Sequence, residues 1–381
     1  MKRSSRLASS ALARTAAILL AAAHMNVSGA AESSNRRAIE ISPDGAVVVP
    51  QHTVPISEFL SPEGQAYVTQ HLHDMQNPRM LGPDNGIPPL LVGFLNRQHE
   101  LFAVERREIE IGGVPAYEYR PKQGIADRNR ERVLINLHGG GFIGCWPACA
   151  ELESIPVAAV GQIRVISLNY RQAPKHRFPA ASEDVAAAYR ELLRTHRPQD
   201  IGIYGCSAGG MLTGMAVAWF QKHGLPNPGA IGILCAGMTL ASNGFGGDAA
   251  YTTLPIGEAR MPPPPPSEGT KGNLPLIYFE DASLDDPLVA PANSPELLRK
   301  FPPTLIVSGT RAFELSSAVH THALLTKYGV DARLHVWEGM FHGFFYNVDV
   351  PESRDCYDVI VRFFDRELGK PTSGAGRASA R

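Results

Sequence analysis

The chain has 381 residues, of which 44% are hydrophobic and 19% are charged, so it can bury a core and is not globally disordered. Its 36 basic and 37 acidic residues nearly cancel, which argues against nucleic-acid binding, because that requires a basic surface to neutralise phosphates. Five cysteines over this length are too few for a disulfide scaffold.

Residues 1–30 have the features of an export signal. Three basic residues lie among the first six, and a short apolar run over 15–23 follows them. That run is shorter than the ~20 residues of a membrane-spanning helix, and no other stretch approaches this length. We therefore expect an exported protein, periplasmic or secreted, without stable membrane insertion. An uncleaved anchor or a wrong start codon is the alternative.

Residues 31–105 are predicted to form helices and loops. Apolar residues recur every three to four positions within 56–75, which is a helical period, and proline-rich breaks follow at Pro78 and at Ile87-Pro88-Pro89. The pattern then changes, because residues 107–111 and 114–119 alternate on either side of a Gly-Gly turn. This alternation predicts a β-hairpin.

From residue 133 onward, short apolar runs alternate with helical stretches. Strands are predicted at 133–137, 163–168, 201–204, 230–234, 304–307 and 333–337, and helices at 180–193, 211–222, 315–328 and 357–368. Such alternation indicates an α/β fold with a mostly parallel sheet and helices on both faces. The hairpin adds an antiparallel edge.

Two segments depart from this pattern. Residues 242–273 are glycine-rich and include a run of five prolines, Pro262 to Pro266. A loop this long is uncommon unless it is functional or partly folded, so we interpret it as an insertion above the carboxyl edge of the sheet. Residues 371–381 are rich in small and polar residues and are predicted to be a disordered tail.

A G-x-S-x-G motif extends from Gly205 to Gly209, between a predicted strand and a predicted helix. In that context the central Ser207 occupies a sharp turn with its hydroxyl exposed, and the glycines keep the neighbouring backbone clear. The motif therefore predicts a nucleophilic serine.

The sequence His138-Gly139-Gly140-Gly141-Phe142 follows another predicted strand. Glycines at this place let backbone N–H groups point at a developing negative charge, as an oxyanion hole requires. The segment also matches the dinucleotide fingerprint G-x-G-x-x-G. The next strand, however, ends in Leu168-Asn169-Tyr170 without the acid that would bind a ribose, so nucleotide binding is disfavoured.

His342 follows the last predicted strand and lies downstream of the serine, where a general base is expected. The chain has no H-E-x-x-H motif and no paired C-x-x-C motifs, so a metal site is not expected. Cys145 and Cys149 are four positions apart, and export would permit a disulfide between them. The favoured interpretation is that they are small apolar packing residues.

Together these motifs resemble the hormone-sensitive-lipase-like branch of the α/β-hydrolases, a family of serine carboxylesterases. The resemblance begins near Arg107, ends with the closing helix, and includes a Y-R-Q-A-P to F-P-A-A block over 170–181. Lys175 stands in that block where an acidic residue is usual. A turn that begins at Asp286 also resembles the family.

The resemblance implies roles for particular residues. Ser207 would be the nucleophile, His342 the base, and the backbone N–H groups of Gly140, Gly141 and Ala208 the oxyanion hole. His138, Gly139, Gly205 and Gly209 would support these motifs. Residues 106–370 would form the catalytic domain. Residues 31–105 and the 242–273 insertion would form a cap over the acyl pocket, and no cofactor is implied.

The acid of the family follows the next-to-last strand in a pattern like G-T-x-D-x-L, and this chain has Ala312 in its place. Three alternatives stay open. Glu314 could reach back from the same loop, another carboxylate such as Asp281, Asp285 or Asp286 could serve, or the acid could be missing. Glu314 could also be an ordinary first-turn carboxylate beside a helix dipole.

The favoured hypothesis is a carboxylic ester hydrolase with Ser207, His342 and Glu314 as its catalytic residues. Its substrates would be short- to medium-chain acyl esters or related small esters and lactones, and a homo-oligomer is compatible with the sequence. The alternative is a weakly active or non-catalytic ligand-binding homologue, because of Ala312. The intact serine, histidine and glycine motifs favour the enzyme.

Overall fold

The computed structural model describes residues 39–82, 87–241, 244–262 and 277–370. The expected export signal, the expected tail and part of the insertion lie outside these described residues. The chain divides into two units, of which the first ends at Val54. The described part of the first unit is a small antiparallel hairpin of β1 (Glu40–Ile41) and β2 (Val47–Val48), where helices and loops were predicted.

The second unit begins with helices and continues with strands that alternate with helices. In chain order its elements are α1 (Pro62–Met75), α2 (Pro78–Leu81), α3 (Pro89–Leu101), β3 (Val104–Ile111), β4 (Val114–Pro121), β5 (Val133–Leu137), α4 (Ala148–Gly161), β6 (Arg164–Leu168), α5 (Ala180–Leu192), β7 (Ile201–Cys206), α6 (Ala208–Lys222), β8 (Ala230–Leu234), α7 (Ala249–Thr252), α8 (Leu254–Gly257), α9 (Pro295–Leu298), β9 (Thr304–Gly309), α10 (Leu315–Lys327), β10 (Ala332–Trp337) and α11 (Pro351–Glu367). Within the described ranges, no helix is long and apolar enough to cross a bilayer.

Eight strands form one sheet in the order β10-β9-β8-β7-β5-β6-β4-β3. The six strands from β10 to β6 in this order are parallel, whereas β4 pairs antiparallel with both β6 and β3. The predicted hairpin is therefore the antiparallel edge of a mostly parallel sheet, and the predicted fold class is confirmed.

Helices cover both faces of this sheet, which explains why its central strands are apolar along their whole length. Strand β5 sends Ile135 into one hydrophobic cluster and Leu134 into the other. Helices α5, α6 and α10 contribute to the first cluster, and α4 and α11 contribute to the second, through residues that include Val185, Leu212, Leu325, Ile155 and Ile360.

Four helices differ from the predictions. Helix α4 was not predicted, because it is buried along most of its length and contains Pro156, so it lacks an amphipathic period. Pro78 and Pro89 begin α2 and α3 rather than breaking structure, since the first helical position needs no N–H donor. Helix α11 begins at Pro351, six residues before the predicted start.

Candidate active site

Ser207 lies at the junction of β7 and α6, with backbone angles of φ 58° and ψ −121°. A residue with a side chain rarely adopts this conformation, and it persists only where the surrounding structure enforces it. Here the Ser207 N–H donates to Leu234 O at 2.9 Å, which ties the turn to the adjacent strand β8. The turn displays the serine at the carboxyl edge of the sheet.

The two glycines of this motif are required by close packing of backbone on backbone. A Cβ on Gly205 would lie 2.2 Å from Leu137 O, and one on Gly209 would lie 1.6 Å from the same oxygen. No side chain fits at such distances. The start of α6 can therefore approach the end of β5 only because both positions are glycine.

The glycine-rich loop after β5 adjoins the serine. A Cβ on Gly139 would lie 3.5 Å from Ser207 Cβ. Gly140 and Gly141 have φ values of 116° and 64°, and a Cβ on Gly140 would lie 2.3 Å from Gly144 O. Ala208 is the first residue of α6, so its N–H has no partner within the helix. These backbone groups are suited to an oxyanion hole.

His138 packs beneath this loop. Its ring is fully buried, stacks on Tyr170 with centroids 4.6 Å apart, and donates from Nδ1 to Gly139 O at 2.7 Å. Burial lowers the pKa of His138 to about 4, so the ring is neutral near pH 7. The Tyr170 hydroxyl donates to His138 O at 2.6 Å. His138 is therefore hydrogen-bonded to the glycine-rich loop.

His342 and Glu314 are hydrogen-bonded to each other. The distance between His342 Nδ1 and Glu314 Oε2 is 2.9 Å, and Ser308 Oγ donates to the other carboxylate oxygen at 3.1 Å. Glu314 is fully buried and directly precedes α10. Its carboxylate is thus engaged by side chains of the sheet edge, not by the first turn of its helix. Of the other candidate acids, Asp286 accepts a hydrogen bond from Leu288 N within its own turn.

This pairing sets the charge behaviour of His342. Burial acts to lower the pKa of the imidazole, but the charge and hydrogen bond of Glu314 outweigh it and raise the pKa to about 9. The ring of Phe313 stacks on His342 with centroids 4.4 Å apart. His342 is therefore held in one orientation, with Nδ1 toward the carboxylate.

Cys235, which directly follows β8, was missed by the sequence analysis. Its position at the carboxyl edge of the predicted sheet was the available signal. The Cys235 sulfur, a carboxylate oxygen of Glu314 and a ring nitrogen of His342 all lie within 4.8 Å of one another. Two of these residues are hydrogen-bonded to each other, and Cys235 Sγ accepts from Gly343 N at 3.3 Å. The cluster is therefore organised as a hydrogen-bond network around the histidine.

Cys145 and Cys149 form a disulfide with a Cα–Cα distance of 5.4 Å, so the favoured interpretation of two unpaired packing residues was wrong. The bond joins the end of the glycine-rich loop to the first turn of α4. The two residues come together because the chain already turns into a helix there, with Cys149 N donating to Cys145 O at 2.9 Å. Cys206, Cys235 and Cys356 are buried thiols.

Comparison with known proteins identifies the family. A family profile described as the alpha/beta hydrolase fold matches residues 134–346. The chain is 29% identical over 246 residues to an acetyl-hydrolase of Streptomyces hygroscopicus, covering 64% of this chain and 78% of that protein. It is 26% identical over 284 residues to an esterase of Acinetobacter venetianus, covering 73% of this chain and 88% of that protein.

Solved structures agree with this assignment. A crystallised esterase superposes with a TM-score of 0.70 at 26% identity, covering 84% of this chain and 98% of that one. An esterase of the bacterial hormone-sensitive lipase family superposes with a TM-score of 0.67 at 26% identity, covering 81% of this chain and 99% of that one. The chain belongs to the α/β-hydrolase fold family. Within it, the resemblance to hormone-sensitive-lipase-like esterases that the motifs predicted is confirmed.

Proposed function

We propose that this protein hydrolyses carboxylic esters with Ser207 as nucleophile, His342 as general base and Glu314 as the acid of the triad. The observation that carries this proposal is the 2.9 Å contact between His342 Nδ1 and Glu314 Oε2. That the protein is a hydrolase of the carboxylesterase type follows from its family and from relatives named acetyl-hydrolase and esterase.

In the proposed reaction, Ser207 Oγ attacks the ester carbonyl while His342 Nε2 takes the hydroxyl proton. Glu314 keeps the Nδ1–H tautomer of His342 and stabilises the imidazolium that forms. The backbone N–H groups of Gly140, Gly141 and Ala208 stabilise the oxyanion of the tetrahedral intermediate. The alcohol leaves with the proton from His342. Water, deprotonated by His342, then attacks the acyl-enzyme, and His342 returns that proton to Ser207 Oγ as the carboxylic acid leaves.

We assign the acyl and alcohol pockets to a cap made of residues 31–105 and the 242–273 insertion. Arg311, in the loop that precedes Glu314, donates to Pro55 O at 2.6 Å and to Ile256 O at 3.0 Å. Both segments are thereby attached to the loop that carries the acid, which supports a position above the site. Relatives named acetyl-hydrolase and arylacetamide deacetylase support short acyl groups as substrates.

Activity on p-nitrophenyl esters of increasing acyl length tests this function directly. Wild type and Ser207→Ala are compared, and a fluorophosphonate probe followed by peptide mapping shows whether Ser207 is labelled. We expect Ser207-dependent hydrolysis that is fastest for short chains. A wild type no faster than Ser207→Ala, without labelling of Ser207, would instead indicate the ligand-binding homologue that Ala312 suggested.

We also propose that the protein is exported after removal of residues 1–30. The Cys145–Cys149 disulfide supports this, because disulfides persist mainly in oxidising compartments. Cell fractionation combined with mass spectrometry of the mature N-terminus tests the proposal. We expect a processed chain outside the cytoplasm. A full-length chain with reduced Cys145 and Cys149 in the cytoplasm would contradict it.

A further inference from the structure

Glu153 is a buried carboxylate that the proposed mechanism does not use. It lies on α4, behind the glycine-rich loop, and is 1% exposed. Its Oε1 accepts hydrogen bonds from Gly139 N at 2.8 Å and from the Tyr346 hydroxyl at 3.1 Å. Its Oε2 accepts from Asn136 Nδ2 at 2.9 Å and from Cys206 N at 3.2 Å. One side chain thus receives four hydrogen bonds.

Three of these donors come from three different segments of the candidate site. Gly139 begins the glycine-rich loop, Cys206 immediately precedes Ser207, and Tyr346 is four residues after His342. The carboxylate therefore connects the donors for the oxyanion, the turn of the nucleophile and the segment of the base. Its own backbone is fixed as well, because the Tyr204 hydroxyl donates to Glu153 O at 2.9 Å.

The arrangement fits an ionised carboxylate in particular. Such a group is a pure acceptor with about four lone-pair positions on two oxygens, and four donors occupy them here. Three of the donors are N–H groups, which cannot accept a hydrogen bond in return. The Asn136 amide is oriented by Ser167 Oγ, which donates to Asn136 Oδ1. Glutamine at position 153 would place its NH₂ group opposite one pair of donors, and that group cannot accept their hydrogen bonds.

We propose that Glu153 is a positioning residue that holds the oxyanion donors, the nucleophile turn and the base segment in one mutual arrangement. The inference rests on the proposed function of Ser207 and His342. Its action is indirect, since Glu153 touches the backbone on either side of the reacting groups and not the substrate. Small displacements of such groups lower turnover strongly, because about 1 Å can cost on the order of 100-fold in rate.

Burial raises the pKa of Glu153 to about 7, although its hydrogen bonds act to lower it. The neighbouring titratable groups stay neutral near that pH. Burial lowers the pKa of His138 to about 4. Burial also raises the pKa values of four tyrosines and one cysteine well above their ordinary values, namely those of Tyr170, Tyr204, Tyr346, Tyr357 and Cys206. Below about pH 7 the carboxylate takes up a proton, which leaves too few acceptor positions for its donors.

The test compares Glu153→Gln with a matched control, Glu151→Gln. Glu151 is also a buried acid of α4, but its partners are Arg106 at 2.5 Å and His99 at 2.9 Å, which lie outside the three segments. Active sites are counted by complete labelling of Ser207 with a fluorophosphonate. Per labelled site, we expect kcat for p-nitrophenyl butyrate to fall about 10- to 100-fold in Glu153→Gln, with KM within about threefold. We expect Glu151→Gln to keep the wild-type kcat.

Two further measurements separate positioning from a merely structural role. Affinity for a trifluoromethyl ketone, which forms a tetrahedral oxyanion on the serine, should fall in Glu153→Gln by the same factor as kcat/KM. In a plot of log(kcat/KM) against pH, the slope should become steeper below about pH 7 for the wild type. The slope should keep its shallower value there for Glu153→Gln. A structural role would lower the number of labelled sites and the melting temperature and leave these quantities per site unchanged.

A kcat per labelled site within twofold of Glu151→Gln would overturn the proposal. If Glu153→Gln does not fold, Tyr346→Phe removes a single donor and should still lower kcat several-fold, and an unchanged kcat in that variant would also overturn it. Glu153→Asp, which keeps the charge, should recover part of the loss. Failure of the proposed function has a different signature, because Ser207 of the wild type would then not be labelled at all.

Discussion

The Glu314 carboxylate reaches His342 Nδ1 at 2.9 Å from a position two residues beyond Ala312, where the family pattern has its acid. Glutamate is one methylene longer than aspartate, and Glu314 lies where the loop enters α10. From there its side chain turns back to the sheet edge, where Ser308 donates to its second oxygen at 3.1 Å. The chain thus brings a carboxylate to His342 from a different position of the same loop.

Replacing Glu314 by Gln should lower kcat by about 10³- to 10⁴-fold, because the amide neither stabilises the imidazolium nor secures its tautomer. The pH profile should move as well. In the proposed mechanism the neutral form of His342 is the base, so wild-type kcat/KM should rise with pH up to the pKa of about 9. Without Glu314, burial is opposed less strongly, so the pKa of His342 falls below its wild-type value.

The measurement is kcat/KM between pH 5 and 10 for wild type and Glu314→Gln. We expect the acidic limb of the variant to lie at lower pH than that of the wild type, despite its lower plateau. Glu338→Gln is a control on the neighbouring loop, since that carboxylate instead accepts from Ser57 Oγ at 2.9 Å. A loss below about tenfold, or an unshifted limb, would remove Glu314 from the triad.

Gly140→Ala should inactivate the enzyme more severely than Gly141→Ala. Both glycines have positive φ, but the nearest atom to a Cβ on Gly140 would be Gly144 O at 2.3 Å, whereas a Cβ on Gly141 meets nothing closer than 3.8 Å. Gly140→Ala must displace backbone, and we expect a fall of more than about 100-fold in kcat/KM. Gly141→Ala adds about 1–2 kcal/mol of backbone strain without a clash. Equal losses in the two variants would contradict this assignment.

Ala312→Asp should not improve the site, although it restores the residue type of the family pattern. Ala312 is fully buried two positions before Glu314, so a second carboxylate there would be desolvated beside a like charge. We expect a loss of about 1–3 kcal/mol in unfolding free energy, measured by urea denaturation at pH 8. The isosteric Ala312→Asn is the uncharged control. Stability of Ala312→Asp equal to that of Ala312→Asn would show that charge is not the cause.

The Cys145–Cys149 disulfide should contribute about 2 kcal/mol to stability, because it closes a short loop and constrains the unfolded chain only modestly. Urea unfolding with and without dithiothreitol measures this difference. The double variant Cys145→Ser/Cys149→Ser is the control and should not respond to the reductant, since the other three cysteines are thiols. A response of the double variant would point to another reducible bond.

The sequence predicted well those parts of the molecule in which packing restricts the residue types that fit. The central strands are apolar throughout because helices cover both faces of the sheet. The glycines at 205 and 209 contact a carbonyl oxygen so closely that no other residue fits. Patterns of this kind are visible without coordinates.

The parts that it missed depend on contacts between distant segments. Helix α4 has no amphipathic period because it is buried on nearly all sides, so neither the helix nor the role of Glu153 was predicted. The identity of the acid stayed open among several carboxylates, because the choice rests on which side chain reaches His342 through space. Cys235 carries no motif, and only its position after a strand marked it.

Arg311 limits which segments of this protein can be exchanged for those of a relative. Its guanidinium holds Pro55 O and Ile256 O, carbonyls from segments about 200 residues apart, and it lies three residues before Glu314. An exchange of either segment with that of a relative would release one of these bonds and free the loop that carries the acid. Grafting either segment from a relative would therefore loosen the loop of Glu314 unless the graft brings a carbonyl to the same place. In this chain, one arginine links two distant segments to the loop that contains Glu314.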